Sequence, residues 1–502
     1  MLAWTIYISF LGALALFLLP SRRAAWARIV ALLTTIITFA LTLTAFIEHR
    51  SGAMLTVVQV PWIPSLGITF SLKADGISLT LLLLTGVIGV CGVLFSWNID
   101  QRIKEFFGFY LLLTGAVYGV FLSYDLFLLF VFYEIVVIPK YFLIAIWGST
   151  RREYAAMKLV LYSFVGSAMV LVGLIAAYVA SGSKSMSLGD LANFPFPAHF
   201  QMWAFPLVFA GFGILAGMWP LHTWAPTGHV AAPTATSMLL AGVVMKLGAY
   251  GCLRVAMTVF PLGMGAWGFH VLGFGSWRDV FAVLAVIGIL YGALVALVQK
   301  DFKFVIGYSS ISHMGFILLG LMTLNQIGLS GAVVQMVSHG LLAGLLFAVV
   351  GRMVYARTHT RDLVALGPMH LGKALPFAAA TFVIAGMASM GLPGFSGFVA
   401  ELMIVIGVWH SYPSLIVFVA IGLIAGVAYI WRAMQQAFFS DSDNKPVQPH
   451  EPLPPISIPE RIGAAILICS SVIVGTFPQL FLNVIHPALN SPLFQGLRKG
   501  GW

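Results

Sequence analysis

Charge is what this 502-residue sequence has least of: Asp, Glu, Lys and Arg together make up 8%. A soluble globular chain carries about 25%, so a soluble enzyme or a string of soluble domains is excluded. Extended disorder is excluded as well, because it requires low hydrophobicity and high charge. Cysteine is scarce. Cys91, Cys252 and Cys469 lie far apart in apolar segments, with neither metal-ligand spacing nor a disulfide framework. The glycine-rich stretch from Gly386 to Gly397 lacks a following Gly-Lys-Ser/Thr, which removes a phosphate-binding loop. The first apolar stretch begins at Met1 without a basic leader or a small-residue cleavage site. It is expected to stay as a helix rather than be removed as a signal peptide. No cofactor and no metal is expected in this chain.

Apolar residues are what is there. They make up 60%, and the mean hydropathy is +0.99. Helices that cross a bilayer need about 20 such residues. A window of about 19 residues gives fourteen candidate spans, at 2–19, 28–47, 77–97, 105–122, 125–147, 156–180, 203–223, 234–257, 279–298, 303–323, 328–351, 374–408, 413–438 and 461–482. These runs are too long, and alternate too little, for the strands of an outer-membrane barrel. The expected fold is an all-α polytopic membrane protein. Its net charge is +10, and the basic residues sit in short loops, so the lipid bilayer and its anionic headgroups are expected partners, with no nucleic acid. Seventeen of the 26 Lys and Arg follow odd-numbered spans, and seven follow even-numbered spans or lie in the C-terminal tail. The excess of positive charge marks the cytoplasmic side. Both termini are therefore expected on the outer, periplasmic side of the inner membrane.

Two spans are expected to be broken. The seventh runs into Pro220, Pro226 and Pro233, and the twelfth carries Gly391-Leu392-Pro393-Gly394. Proline removes an intrahelical hydrogen bond, and freed backbone groups are tolerated at membrane depth only inside protein or beside a wet cavity. The breaks lie five spans apart, so the second copy of an odd-numbered unit would start from the opposite side. The expected organisation is an N-terminal group of three helices over 1–104, two inverted five-helix repeats over 105–257 and 279–438, and a polar loop with the last helix over 439–502.

An ionisable group at the bilayer centre costs roughly 2.5–3.5 kcal/mol on insertion scales. Glu134 lies deep in the fifth span, Lys246 in the middle of the eighth, and Glu401 just after the break in the twelfth. His313 and His339 lie on the tenth and eleventh. A carboxylate and a lysine can merely lock helices together, and a histidine can merely bond a carbonyl. Five such groups beside two broken helices favour a proton or ion path instead. Desolvation lowers the proton affinity of a buried amine and raises that of a buried carboxylate, so both kinds of group can exchange protons near neutral pH. His222 and His229 flank the first break and read as caps of freed backbone groups. Asp75, Asp125 and Asp301 lie near predicted helix ends, where solvated or capping roles are expected.

The segments around these residues resemble the antiporter-like membrane subunits of respiratory complex I. The resemblance rests on Phe132-Tyr133-Glu134-Ile135-Val136-Val137-Ile138-Pro139-Lys140-Tyr141-Phe142, on Pro220-Leu221-His222-Thr223-Trp224, and on Leu239-Leu240-Ala241-Gly242 with Lys246. Ser309-Ser310-Ile311-Ser312-His313, His339-Gly340 and Gly397-Phe398-Val399-Ala400-Glu401 extend it. Glu401, a carboxylate where related subunits usually carry lysine, points to the chain M (chain 4) type of NADH–quinone oxidoreductase. The resemblance implies a proton-translocating subunit coupled to quinone reduction in other subunits, with no redox centre of its own and with other membrane-arm subunits as partners. Carried over, Glu134, Lys246, His313, His339 and Glu401 would form the relay.

Three departures stand out. The family places a lysine five residues before Pro-Leu-His, where this chain has Leu215. Two family acids are missing from Ala225-Pro226-Thr227-Gly228-His229 and Ala231-Ala232-Pro233. Lys140 appears where the family usually has an apolar residue. It follows Glu134 by six residues, about 240° and 9 Å along an ideal helix, so it can substitute as the cation only if the helix is distorted at Pro139. Two alternatives follow from the same features: a subunit of a multi-chain sodium/proton antiporter, and a structural subunit whose pumping is impaired.

Overall fold

The computed structural model describes residues 1–20, 25–49, 51–265, 275–440 and 453–499. Arg22, Arg23, Arg50 and Lys445, four of the cations that orient the chain, lie outside the described residues, as does most of the polar stretch between Ser440 and Pro459. Among the described residues, twelve helices are long and apolar enough to cross a membrane. Numbered by the spans expected from sequence, they are helix 2 (Trp26–Glu48), helix 3 (Gly76–Phe95), helix 4 (Ile103–Leu122), helix 5 (Leu126–Trp147), helix 6 (Arg152–Ser181) and helix 7a (Ala198–Ala216). Helix 8 (Thr234–Val259), helix 9 (Trp277–Val298), helix 10 (Phe302–Met322), helix 11 (Gln326–Thr358), helix 13 (Pro413–Phe438) and helix 14 (Ile458–Thr476) follow. The two remaining spans are shorter apolar helices: helix 1 (Ala3–Leu18), and the broken pair 12a (Pro376–Ser389) and 12b (Ser396–Ser411). Helix 7 is also broken, and resumes as 7b (Trp224–Ala231).

The chain is thus a multi-pass membrane protein, and burial sorts its helices. In helices 3, 8, 10 and 11, 94%, 100%, 89% and 100% of the most apolar stretch is buried within the protein, against 28% and 33% in helices 13 and 14. The first set forms the core. The second exposes large apolar side chains such as Ile424 and Trp431, which suits a hydrocarbon surround.

The helix starts obey local chemistry. Asp75, Asp125 and Asp301 each cap the helix that follows: Asp75 accepts from Ser78 N–H, Asp125 from Phe127 and Leu128, and Asp301 from Lys303 and Phe304. Two of these caps have the same surroundings. Leu126 N–H bonds Met186 O and Leu188 N–H bonds Tyr124 O, while Phe302 N–H bonds Arg361 O and Leu363 N–H bonds Lys300 O. Each cap is thereby tied to a strand-like segment that precedes a short helix, Leu188–Asn193 in one case and Leu363–Leu366 in the other.

Two features depart from a purely helical reading. Leu55–Ile63 and Ile68–Ala74 form an antiparallel hairpin between helices 2 and 3. The last span ends earlier than expected, at Thr476, and Pro478 is followed by a separate helix, Gln479–Leu489. Proline has no N–H to continue the ladder.

Candidate functional site

Helix 8 carries Lys246 between two widened, π-helical turns, Leu240–Val244 and Cys252–Ala256. In the first, Met245 N–H reaches back five residues to Leu240 O. Ala241 O, its partner in a regular helix, accepts a hydrogen bond from Lys246 Nζ. The same ammonium lies 2.8 Å from His339 Nδ1 on helix 11. That contact depends on Gly340. A Cβ there would stand 2.6 Å from Gly242 O and 2.8 Å from Leu84, so only glycine lets helix 11 approach the widened turn.

From His339 the polar chain continues. Its ring stacks on that of His313, with centroids 5.3 Å apart. His313 Nδ1 lies 3.3 Å from Glu401 Oε1 and 3.2 Å from Gln335 Nε2, and His313 Nε2 lies 3.2 Å from Ser389 Oγ. When Nδ1 is bare it accepts from the Gln335 amide; when it carries a proton it donates to Glu401. One ring position therefore has a partner for each protonation state. Lys246, His339, His313 and Glu401 are all buried. His313, His339, Glu401, Ser338 and Ser389 line a small cavity with space for roughly one water. A second small cavity on the far side of Glu401 reaches Gly422, Gly426 and Tyr429 of helix 13.

The break in helix 12 places Glu401. Gly391 and Gly394 have φ of +81° and +96°, which a side chain rarely adopts. A Cβ at Gly391 would lie 3.2 Å from Glu401 Oε2. A hydroxyl chain also leaves this chamber, from Ser338 to Ser396 and on to Ser471 of helix 14, each step 2.9 Å.

The other expected residues are not joined to this chain. Glu134 is half-buried, and its Oε1 has no hydrogen-bond partner. Lys140 is fully buried, and its Nζ has no partner either. Among the described residues the two make no ion pair within 4.0 Å. Val136 keeps helical dihedrals and its N–H bonds Phe132 O, so Pro139 does not distort helix 5 in a way that brings them together. Leu215 sits in the core, where helix 7a presses on Gly248 of helix 8. His222 lies against the backbone of Pro220 at the break, whereas His229 does not act as a cap: neither of its ring nitrogens has a hydrogen-bond partner, and its ring stacks on Phe347.

Buried cations also escape a sequence reading, Arg254 and Lys303 among them. Arg254, eight residues after Lys246, pairs with Asp75 at 2.5 Å with both side chains buried. Lys303 donates to Val230 O and Ala232 O at the end of helix 7b. Lys303 opens the tenth expected span directly after Lys300 and Asp301, so it reads as one of the loop cations.

Residues 123–427 match the family described as NADH:quinone oxidoreductase/Mrp antiporter, TM. The chain is 36% identical over 488 residues to NAD(P)H-quinone oxidoreductase chain 4 1 of Synechococcus elongatus, covering 95% of this chain and 89% of that one. It is 34% identical over 483 residues to NADH-quinone oxidoreductase subunit M of Rhodobacter capsulatus, covering 93% and 90%. Among solved structures it resembles a chain of respiratory complex I from Thermus thermophilus with bound NADH, at a TM-score of 0.88 and 27% identity over the whole of both chains.

Proposed function

The chain belongs to the NADH:quinone oxidoreductase/Mrp antiporter membrane family, and on that premise we propose that it is a proton-translocating subunit in the membrane arm of a complex I-like NADH–quinone oxidoreductase. Redox chemistry belongs to partner subunits; this chain moves protons. The observation that carries the reading is the buried line Lys246–His339–His313–Glu401, which is hydrogen-bonded at its first step, ring-stacked at its second and charge-paired at its third. An amine, two imidazoles and a carboxylate each gain and lose a proton, and each charge biases its neighbour. Lys246 holds the proton midway, and Glu401 passes it on beside the wet break in helix 12.

The test is Lys246→Ala in the assembled complex, reconstituted into sealed vesicles. Assembly is expected to persist, while protons moved per electron and coupled turnover both fall. Normal stoichiometry would sink the relay assignment. Sodium dependence of translocation in the same vesicles separates this reading from that of a sodium/proton antiporter subunit.

We also infer that residues 105–257 and 279–438 are inverted repeats, with both termini outside the cytoplasmic membrane. Support comes from the matched aspartate caps of helices 5 and 10, five spans apart, and the matched breaks in helices 7 and 12. In a background with Cys469→Ser, cysteines placed at Ser183 and Val364 are expected to react with impermeant thiol reagents from opposite sides; labelling from one side alone would reject the inversion.

A further inference from the structure

A buried serine or threonine in a helix commonly donates its hydroxyl to a carbonyl three or four residues back. Ser310 on helix 10 donates in this way to Ile306 O, and Thr476 on helix 14 to Val472 O. Ser338, Ser396 and Ser471 do not. Their hydroxyls bond one another across helices 11, 12b and 14, at 2.9 Å for each step, and all three residues are buried. Ser396 is the middle member and the first residue of helix 12b. Little else fixes the start of that helix. Phe395 gives it no side-chain cap. The link from helix 12a runs through Leu392, Pro393 and Gly394, which are exposed, with positive φ at Gly391 and Gly394. No continuous helical ladder therefore carries the axis of 12a into 12b. Helix 14 closes on the same point, since a Cβ at Gly475 would stand 2.6 Å from Gly394 O. Ser471 and Gly475 are four residues apart and share one face of helix 14.

We propose that Ser396 is a positioning residue for the proton relay: held by Ser338 on one side and Ser471 on the other, it clamps helix 12b so that Glu401 meets His313, and it makes the outer helix 14 part of the relay's frame. This rests on the proton-translocating reading above. The clamp itself passes no proton; what it sets is distance. Ser338 directly precedes His339 on helix 11, and Glu401 follows Ser396 within two turns of helix 12b. Both ends of the clamp thus stand next to members of the line. A shift at the start of helix 12b moves Glu401 against His313. Proton transfer requires hydrogen-bond reach, and the 3.3 Å between Glu401 Oε1 and His313 Nδ1 leaves little slack.

The experiment uses the assembled complex in sealed vesicles. Ser396→Ala removes one oxygen atom and with it both bonds. Ser471→Ala removes only the outer bond, at a residue that lines neither cavity beside Glu401. Assembly is expected to persist in both. Pumping is expected to fall about tenfold in Ser396→Ala, less than the roughly hundredfold that a 1 Å misplacement of reacting groups can cost, and by a smaller factor in Ser471→Ala. Infrared difference spectra supply a readout that a serine with a merely structural role would leave unchanged. The Glu401 carboxyl band, identified by its loss in Glu401→Gln, is expected to shift in both variants. The double variant is expected to match Ser396→Ala, because the outer bond exists only through Ser396. An unshifted band or normal pumping in Ser396→Ala overturns the proposal, and so does a silent Ser471→Ala, which puts helix 14 outside the frame. If Ser396→Ala does not assemble, Ser471→Ala is read alone by the same two measurements. Failure here stays separate from failure of the relay, because the band reports on Glu401 whether or not protons are pumped. A silent Ser396→Ala beside a Lys246→Ala that blocks pumping rejects the clamp alone, and a Lys246→Ala that pumps normally rejects the relay.

Discussion

The two halves of the chain share an architecture and differ in how their buried charges are joined. Helices 5 and 10 start with aspartate caps in the same hydrogen-bonding frame, and helices 7 and 12 break at positive-φ glycines, Gly217 in one and Gly391 and Gly394 in the other. In the C-terminal half, Glu401 touches His313, which stacks on His339, and this line extends to Lys246. In the N-terminal half, Glu134 and Lys140 stand apart, each with an unpartnered atom. The lesson is that backbone geometry and proton connectivity are separable. The breaks and caps match between the two halves while their buried charges do not.

Four substitutions break or sharpen this contrast. The largest effect is expected from Lys246→Arg. Arginine keeps the charge but does not release a proton, so pumping should fall roughly a hundredfold, within the range for loss of a general acid–base group. Arginine that pumps would mean Lys246 acts only as a fixed charge. Glu401→Gln comes next. It keeps shape and hydrogen bonding and loses titration, so a clear fall in proton flux, smaller than that of Lys246→Arg, is expected. Flux that stays level would make Glu401 structural and leave the two halves equally incomplete.

Gly340→Ala tests the approach of helices 8 and 11. Its Cβ would meet Gly242 O, a backbone atom that cannot turn away. Helix 11 must then shift by a few tenths of an ångström, at a cost of about 1–3 kcal/mol. Thermal stability should drop, and turnover should fall a few fold as the Lys246–His339 contact lengthens; unchanged turnover would show that the 2.8 Å contact is not needed. Leu215→Lys should do least. Assembly is expected to persist and pumping to stay within about twofold. A block of turnover with intact assembly would show that the N-terminal half excludes a cation on helix 7.

Much of this was legible in the sequence, for physical reasons. Lys246 and Glu401 stand out because each interrupts a long apolar run, and the breaks stand out because proline and glycine have few other uses there. Aspartates at helix starts read correctly as caps. The hairpin at 55–74 did not, since a window of about 19 residues averages away a strand's alternation of two. Nor did the Arg254–Asp75 pair, 179 residues apart in sequence, where only folding reveals the partner. Lys303 was hidden by its charged neighbours, whereas the separation of Lys140 from Glu134 was legible, since a spacing of six residues puts them about 240° apart on an ideal helix.

The widened turn at Leu240–Val244 amounts to an extra residue in helix 8 relative to a regular helix. Each residue advances an α-helix by about 100°. Without that surplus, everything from Met245 onward would be turned by that angle, with Lys246 swung away from His339 and Arg254 from Asp75. The second widened turn, at Cys252–Ala256, contributes a further offset of the same kind. Helix 8 therefore works like a shaft with two keyed collars, and its aim at two different neighbours is stored as a count of residues. Length in this segment is as much a determinant of which groups meet as the identity of Lys246 itself.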